Sequence, residues 1–300
     1  MEIISQERCE EGIVTVVQLS NAEKMELLDE ACTFICSEME IDDLESSGAN
    51  KLQLLCDSIE PAEVSSMVAS YVMGFIVHRV AERLEMVAVV APRCVAKNDI
   101  LHDSEFIFTS YIAPKPICHL SSYDPVVIPA HRIGLTEEAV KENPAYFSEL
   151  KSEQSELLLD IAEEILASRI VEKIPQEALD AVRNSLLDDV YCQARWQGKT
   201  LEEFLEEQKL ETGLLGMMLF EKAKDALSRE VALDALFVGL DKLMTKEDID
   251  KAAQSMEPDC KSSALDRFNR RGMLSVVKQT AGRTIARQWL LSTCVVDIEN

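Results

Sequence analysis

The sequence predicts an α+β N-terminal domain followed by an all-α C-terminal domain of long helical arms, so the chain is predominantly helical. Segments with a hydrophobic period of two are mixed with helical segments only before residue 135, and from Thr136 onward the apolar spacing is helical throughout. Glycine and proline number only 10 and 9, and aromatic residues make up 5% of a chain that is 47% hydrophobic. This composition is typical of helices packed through aliphatic side chains. We therefore predict two domains, residues 1–135 and 136–300.

In the N-terminal domain, "GIVTVVQL" (Gly12–Leu19) is rich in β-branched residues and predicts a strand. Ser20 and Glu23 form a capping box, and the helix that follows has an apolar stripe at Leu28, Cys32, Ile35 and Met39. Pro61 opens a second helix, in which Gly74 predicts close packing. Three proline-bounded segments then predict strands: "VAVVAPRCV", "SEFIFTSYI" and "DPVVIPAHRI".

The C-terminal domain is divided into helices by its caps. Asn143 and Pro144 predict the start of a long helix, and Pro175 opens the next one, which Gly198 ends. Thr200 with Glu203, and Thr245 with Asp248, predict two further helix starts. These helices lack continuous heptads, so we expect arms rather than a coiled coil.

The formal net charge of −24 disfavours generic binding to nucleic acid or to anionic membranes. Nine scattered cysteines without a CxxC pair indicate free thiols in a reducing compartment. The N-terminus lacks a signal-peptide pattern, and the longest apolar run, Val68–Val77, is about half of the roughly 20 residues that a membrane span needs. We expect a soluble cytoplasmic protein that binds neither membranes nor DNA directly.

No motif for chemistry is found. Cys32 and Cys36 are one helical turn apart and Cys118 adjoins His119, but a zinc site needs four converging ligands, and neither CxxC nor HxxxH occurs. The sequence also lacks a nucleophile elbow, a P-loop and a dinucleotide fingerprint. We predict no catalytic residues, no metal and no cofactor, and we expect that the protein is not an enzyme.

The segment Lys261–Trp289 is basic within an acidic chain. Its candidate patch consists of Arg267, Arg270, Arg271 and Lys278. Such a patch is typical of a surface that faces RNA or an acidic partner. Alternatively, the bases neutralise acidic helices on which they pack, such as "LEEFLEEQ", and the scarcity of interleaved aromatics favours this interpretation.

The segment "TGLLGMMLFEKA" (Thr212–Ala223) combines two glycines and two methionines with leucine and phenylalanine. Met-rich surfaces adapt to varied partners. The candidate client-binding residues are Leu214, Leu215, Met217, Met218 and Phe220. The alternative is an ordinary buried helix.

The segments Arg169–Gln208 and Phe220–Asp250 resemble the C-terminal domain of bacterial trigger factor. The matching features are the helix-opening Pro175, Gly198 before the Thr200-capped segment, and the turn at Thr245–Asp250. Residues 12–133 are similar to the trigger factor ribosome-binding domain in the order of their strands and helices. The family's FKBP-like isomerase domain would need about 100 residues between these halves. Only a few tens of residues separate Ile133 from Ser168, so we expect that the isomerase domain is missing between the two halves.

The loop "IDDLESSGANK" (Ile41–Lys51) departs from the family at its ribosome-binding motif, Gly-Phe-Arg-x-Gly-Lys-x-Pro. Asp43, Leu44 and Glu45 stand where the family has Gly, Phe and Arg; Gly48 does not restore the rest, and the nearest base is Lys51. Acidic side chains repel rRNA phosphates. The loop therefore predicts a degenerate ribosome-binding site.

The resemblance implies an ATP-independent chaperone that binds unfolded or nascent polypeptides in a helical cradle, without ribosome attachment. A homodimer could cover the same surfaces when no client is bound. Two alternatives remain open: a structural or assembly protein with one dedicated partner, and a peptidyl-prolyl isomerase.

Overall fold

The computed structural model describes residues 1–39, 41, 50–134, 155–258 and 263–297. The chain divides into two compact units. The first comprises Met1–Lys115 together with Asn269–Met273, and the second comprises Pro116–Phe268 and Leu274–Asn300. The fold class is confirmed: the first unit is α+β, and the second is dominated by helices.

The first unit contains a four-stranded antiparallel sheet. Its strands are β1 (Glu2–Cys9), β2 (Gly12–Leu19), β3 (Arg93–Ala96) and β4 (Phe106–Ile112), in the order β1-β2-β4-β3. The register pairs Leu19 with Phe106 and Val17 with Phe108, so these four apolar side chains share one face of the sheet. All four are fully buried.

Three helices share the core on this side of the sheet: α1 (Asn21–Glu38), α2 (Lys51–Ser58) and α3 (Pro61–Arg83). The predicted capping box of Ser20 and Glu23 is confirmed, and Pro61 occupies the first turn of α3. The sheet and the helices share one core, to which α2 contributes Leu55 and α3 contributes a row of valines. Gly74 does not serve close packing, because a Cβ placed there would meet no atom within 4 Å.

Helix α3 is long and apolar enough to cross a membrane by length and composition alone. Its apolar side chains instead belong to the core of the first unit, where Val68, Val72 and Phe75 are buried against the sheet and the neighbouring helices. A core helix meets the same length and hydropathy criteria as a membrane span.

The first regular elements of the second unit are β5 (Val127–Pro129) and a 3₁₀ turn at Ala130–Ile133. The helices that the structure describes in this unit follow: α4 (Ser155–Ala167), α5 (Gln176–Trp196), α6 (Leu201–Glu207), α7 (Thr212–Gly239), α8 (Lys246–Met256), α9 (Ala264–Arg270) and α10 (Leu274–Thr293). The last two residues of α9, Asn269 and Arg270, belong to the segment that is assigned to the first unit. Strand β6 (Val295–Asp297) pairs in parallel with β5. The capping boxes at Thr200 and Thr245 are confirmed, and Gly198 ends α5 with a positive φ of 67°. The helix start predicted at Asn143 and Pro144 lies outside the described residues.

The main core of the second unit lies between α4, α7 and α10. Leu158 and Leu166 of α4 pack with Leu233 and Leu236 of α7 and with Leu290 of α10. Residues 116–133 belong to this unit, because Leu120, Val126, Ile128 and Ile133 are part of the same core. The division between units therefore falls at Lys115, before the domain boundary that the sequence predicts at residue 135.

Candidate functional site

The first two turns of α7 lie on a small cluster separate from the main core. Leu215 and Leu219 are each 7% exposed and pack with the buried Leu205 of α6. Leu186 and Leu187 of α5 also pack in this cluster. Residues four apart lie on one face of a helix, so Leu215 and Leu219 fix which side of α7 faces inward.

The adjacent side of the same turns presents apolar side chains to solvent. Leu214, Met217 and Met218 are 44%, 61% and 47% exposed, respectively. Their spacing of three and four residues places them together on the helix surface. Phe220 is partly buried and Leu215 is buried. Of the five candidate client-binding residues, three thus form an exposed apolar surface, which we call the α7 surface, and Leu215 supports it from beneath.

The two glycines beside these residues do not mediate close helix contacts. A Cβ added at Gly213 or Gly216 would meet nothing within 4 Å. No side chain of another helix therefore packs against these two glycines.

Exposed aromatic side chains on α5 are a feature that the sequence does not reveal. Tyr191 is 45% exposed and Trp196 is 90% exposed. Val190, the neighbour of Tyr191, packs into the same small cluster as Leu215. Neither aromatic residue belongs to a recognisable motif, so only the burial pattern distinguishes them from core residues.

The loop that the sequence predicts to be a degenerate ribosome-binding site is described only at its two ends. Asp43, Leu44, Glu45 and Gly48 lie outside the described residues. Lys51, at the start of α2, donates a hydrogen bond from Nζ to Thr33 Oγ1 at 2.6 Å and lies 4.0 Å from Asp29 Oδ1. This lysine is thus held against α1, and 30% of its side chain is exposed.

Two of the candidate basic residues, Arg270 and Arg271, lie in the first unit. Arg270 pairs with Glu30 at 2.8 Å, and its carbonyl oxygen accepts a 2.6 Å hydrogen bond from Arg79 Nε. The charge of Arg271 helps to lower the pKa of His78, after the larger effect of burial. These contacts anchor the Asn269–Met273 segment within the first unit.

Other basic side chains of the segment Lys261–Trp289 lie in the second unit, where several pair with acidic side chains. Arg267 lies 3.4 Å from Glu257, and Lys278 is exposed. Arg283 pairs with Asp234 of α7 at 2.8 Å, and Arg287 pairs with Glu163 of α4 at 2.7 Å. These pairs favour the interpretation that the bases neutralise acidic helices, although the acids are those of α4 and α7 rather than those of "LEEFLEEQ".

The thiols of Cys32 and Cys94 are poorly suited to nucleophilic chemistry. Burial raises the pKa of Cys32 to about 11 and that of Cys94 to about 12, so both stay protonated at neutral pH. The eight described cysteines form no disulfide. Within the described ranges, no three His, Cys, Asp or Glu residues are grouped closely enough to hold a metal ion.

His119 is engaged by an acid instead of by its neighbour Cys118. Its Nδ1 lies 2.7 Å from Glu172 Oε1, and its backbone N–H donates to Glu172 Oε2 at the same distance. These bonds lower the pKa of Glu172. Cys118 is buried, and its pKa is raised by that burial and by the charge of Glu172. The pairing therefore orients His119 without activating the thiol.

Comparisons with known proteins find similarity in structure. No protein-family model matches the chain, and no curated protein matches it in sequence. A solved structure from work on promiscuous substrate recognition in the folding and assembly activities of the trigger factor chaperone aligns over 97% of this chain and 99% of the other, with 11% identity and a TM-score of 0.42. A similarity at this score does not by itself establish a shared function.

Proposed function

We propose that this protein is a trigger factor-like, ATP-independent chaperone that holds unfolded or nascent polypeptides on the α7 surface. The observation that carries the proposal is the difference in exposure between two sides of α7. Leu215 and Leu219 are buried, whereas Leu214, Met217 and Met218 beside them are exposed. The resemblance of the sequence to trigger factor, extending over both halves of the chain, supports the same interpretation.

The physical chemistry of the α7 surface suits weak and unselective binding. Thioether side chains are unbranched and polarisable, so they adapt to apolar groups of different shape. Each contact contributes little free energy, and affinity requires several contacts along one unfolded segment. The net charge of −24 keeps a chain with exposed apolar side chains, and its complex with a client, in solution.

The proposal places the protein in the cytoplasm and away from the ribosome. Glu45 stands at the loop position where the family has an arginine, and the nearest base, Lys51, is held by Thr33. Co-sedimentation with ribosomes at low salt tests this part. We expect the wild type to stay in the supernatant and a variant with the family motif rebuilt from Asp43 to Asn50 to pellet. Pelleting of the wild type would contradict the proposal.

The chaperone activity is tested by suppression of aggregation of a chemically denatured client. We expect wild-type protein to suppress light scattering and the double variant M217Q/M218Q to lose most of this effect, because a polar amide replaces each apolar contact. The matched control is M25Q/M39Q, which alters Met25 of α1 and Met39 directly after its end, which are 53% and 45% exposed. Equal activity of the two double variants would show that the α7 surface does not bind clients.

The same surface could instead serve one dedicated partner in a structural or assembly role. Wild-type protein would then fail to bind denatured proteins, while still forming a tight complex with that partner. A peptidyl-prolyl isomerase is the third candidate. We expect no acceleration in a proline-peptide isomerisation assay, and a measurable acceleration would revive this candidate.

A further inference from the structure

The α7 surface contains two solvent-exposed thioethers at adjacent positions. Met217 and Met218 are 61% and 47% exposed, and Gly216 leaves open space beside them. Exposure is the main condition for oxidation of methionine by small oxidants. Both side chains are thus accessible to small oxidants in the folded protein.

Oxidation would change the property that makes this surface apolar. A lone pair of the thioether sulfur attacks one oxygen of a peroxide, the O–O bond breaks, and the other oxygen leaves as water or an alcohol after taking up a proton. The sulfur is oxidised by two electrons, the peroxide is reduced by two, and a polar sulfoxide remains. Two such events place two strong hydrogen-bond acceptors at the centre of the surface.

We propose that Met217 and Met218 form an oxidative modification site at which peroxide-class oxidants switch off polypeptide binding. This inference rests on the proposed function, because it concerns the same surface. Burying a sulfoxide against an apolar client segment removes its hydration without supplying a donor. The fold itself is retained, since the side chains beneath the surface are the leucines Leu215 and Leu219, which peroxide does not attack.

The chain contains other methionines that separate the effect of this site from general oxidation. Met25 on α1 and Met39 directly after α1 are 53% and 45% exposed, so peroxide reaches them to a similar extent. Met73 is 8% exposed and is protected by the core of the first unit. Sulfoxides therefore form at several positions, and the proposal assigns the loss of binding to those on α7.

The experiment uses the full chain and reduced, carboxymethylated α-lactalbumin as a permanently unfolded probe. The protein is treated with hydrogen peroxide, freed of oxidant, incubated with dithiothreitol to reverse thiol oxidation, and titrated with the labelled probe. Peptide mass spectrometry follows the gain of about 16 Da per sulfoxide in the segment Leu210–Lys222. Three proteins are compared: wild type, M217L/M218L and M25L/M39L. Leucine keeps each position apolar and similar in volume but removes the sulfur.

We expect peroxide to weaken probe binding roughly tenfold in the wild type and in M25L/M39L, and to leave M217L/M218L within about twofold of its untreated affinity. Sulfoxide reductases should restore the binding of the oxidised wild type. An equal loss in M217L/M218L, or no loss in the wild type once its Leu210–Lys222 segment is oxidised, would overturn the inference. Failure of untreated wild type to bind the probe would instead overturn the proposed function.

Discussion

Leu215 and Met217 are two residues apart on α7, yet they should respond in opposite ways to substitution. Leu215→Ala removes a side chain that is 7% exposed and packed with Leu205 and Leu219. Leucine-to-alanine changes in cores cost about 2 to 5 kcal/mol of unfolding free energy, depending on how far the site collapses. This cluster is small and lies at the surface of the unit, so we expect a loss near the lower end, about 2 to 3 kcal/mol. Met217→Gln removes few buried contacts and should cost less than about 0.5 kcal/mol.

Thermal unfolding followed by circular dichroism distinguishes these outcomes. For a unit of this size, 1 kcal/mol corresponds to a shift in Tm of roughly 2 to 4 °C. Leu215→Ala should therefore lower the Tm by about 4 to 12 °C, whereas Met217→Gln should shift it by no more than about 2 °C. Client binding should show the opposite order: Met217→Gln weakens it, and Leu215→Ala preserves it at temperatures where the protein is folded. A large loss of stability in Met217→Gln would refute the assignment of this side chain to an exposed surface.

Three further predictions test other parts of the structure. Gly216→Ala should stabilise α7 by about 0.5 to 1 kcal/mol, because the added Cβ meets open space. Gly239→Ala should instead destabilise the protein by about 1 to 3 kcal/mol, because the added Cβ would overlap the ring of Tyr123. Chemical denaturation measures both changes in unfolding free energy. Arg283→Gln should cost about 1 to 3 kcal/mol, since Arg283 is 16% exposed and pairs with acids of α7, and an effect below about 0.5 kcal/mol would show that the pairs are not structural. The ammonium group of Met1 and the hydroxyl of Ser20 lower the pKa of Glu23 from 4.5 to about 2. The ionised carboxylate therefore stabilises the fold above pH 4.5, and this contribution is lost as the pH falls towards 2. Because Glu23 is 43% exposed, we expect the contribution to be only about 1 kcal/mol, and an acid titration of Glu23→Gln should show a correspondingly smaller loss of stability over this range.

The elements that the sequence predicts well are those with strong local signals. The β-branched run at Gly12–Leu19 forms a strand with the predicted limits, and three capping boxes open helices where predicted. In each case, the signal lies in residues that are neighbours in the sequence. The pattern of buried Phe106 and Phe108 around a less buried Ile107 follows from the same alternation.

The elements that the sequence does not predict depend on partners distant in the chain. Strand β1 is mostly exposed, and its polar residues pair with β2 through the backbone, so it has no hydrophobic alternation to detect. Strand β6 exists because it pairs with β5, which lies well over a hundred residues earlier. Helix α2 is short, and of its residues only Leu55 is buried. The prediction of close packing at Gly74 is wrong for a related reason. The sequence around a helical glycine is the same whether the glycine faces a neighbouring element or solvent.

The α7 surface shows why the site was only partly predictable. The sequence identifies an apolar segment, but Leu214 and Leu215 are chemically identical, and only the neighbouring helices decide which of them is buried. Because α5 and α6 supply apolar side chains on one side only, a segment that is apolar around much of its circumference is left with an uncovered face. The methionines and glycines lie on the uncovered side, whereas the two fully packed positions are leucines. Rigid, well-packing side chains thus hold the helix in place, and flexible side chains with open backbone face the solvent, which is the distribution of residues that a surface for varied unfolded segments requires.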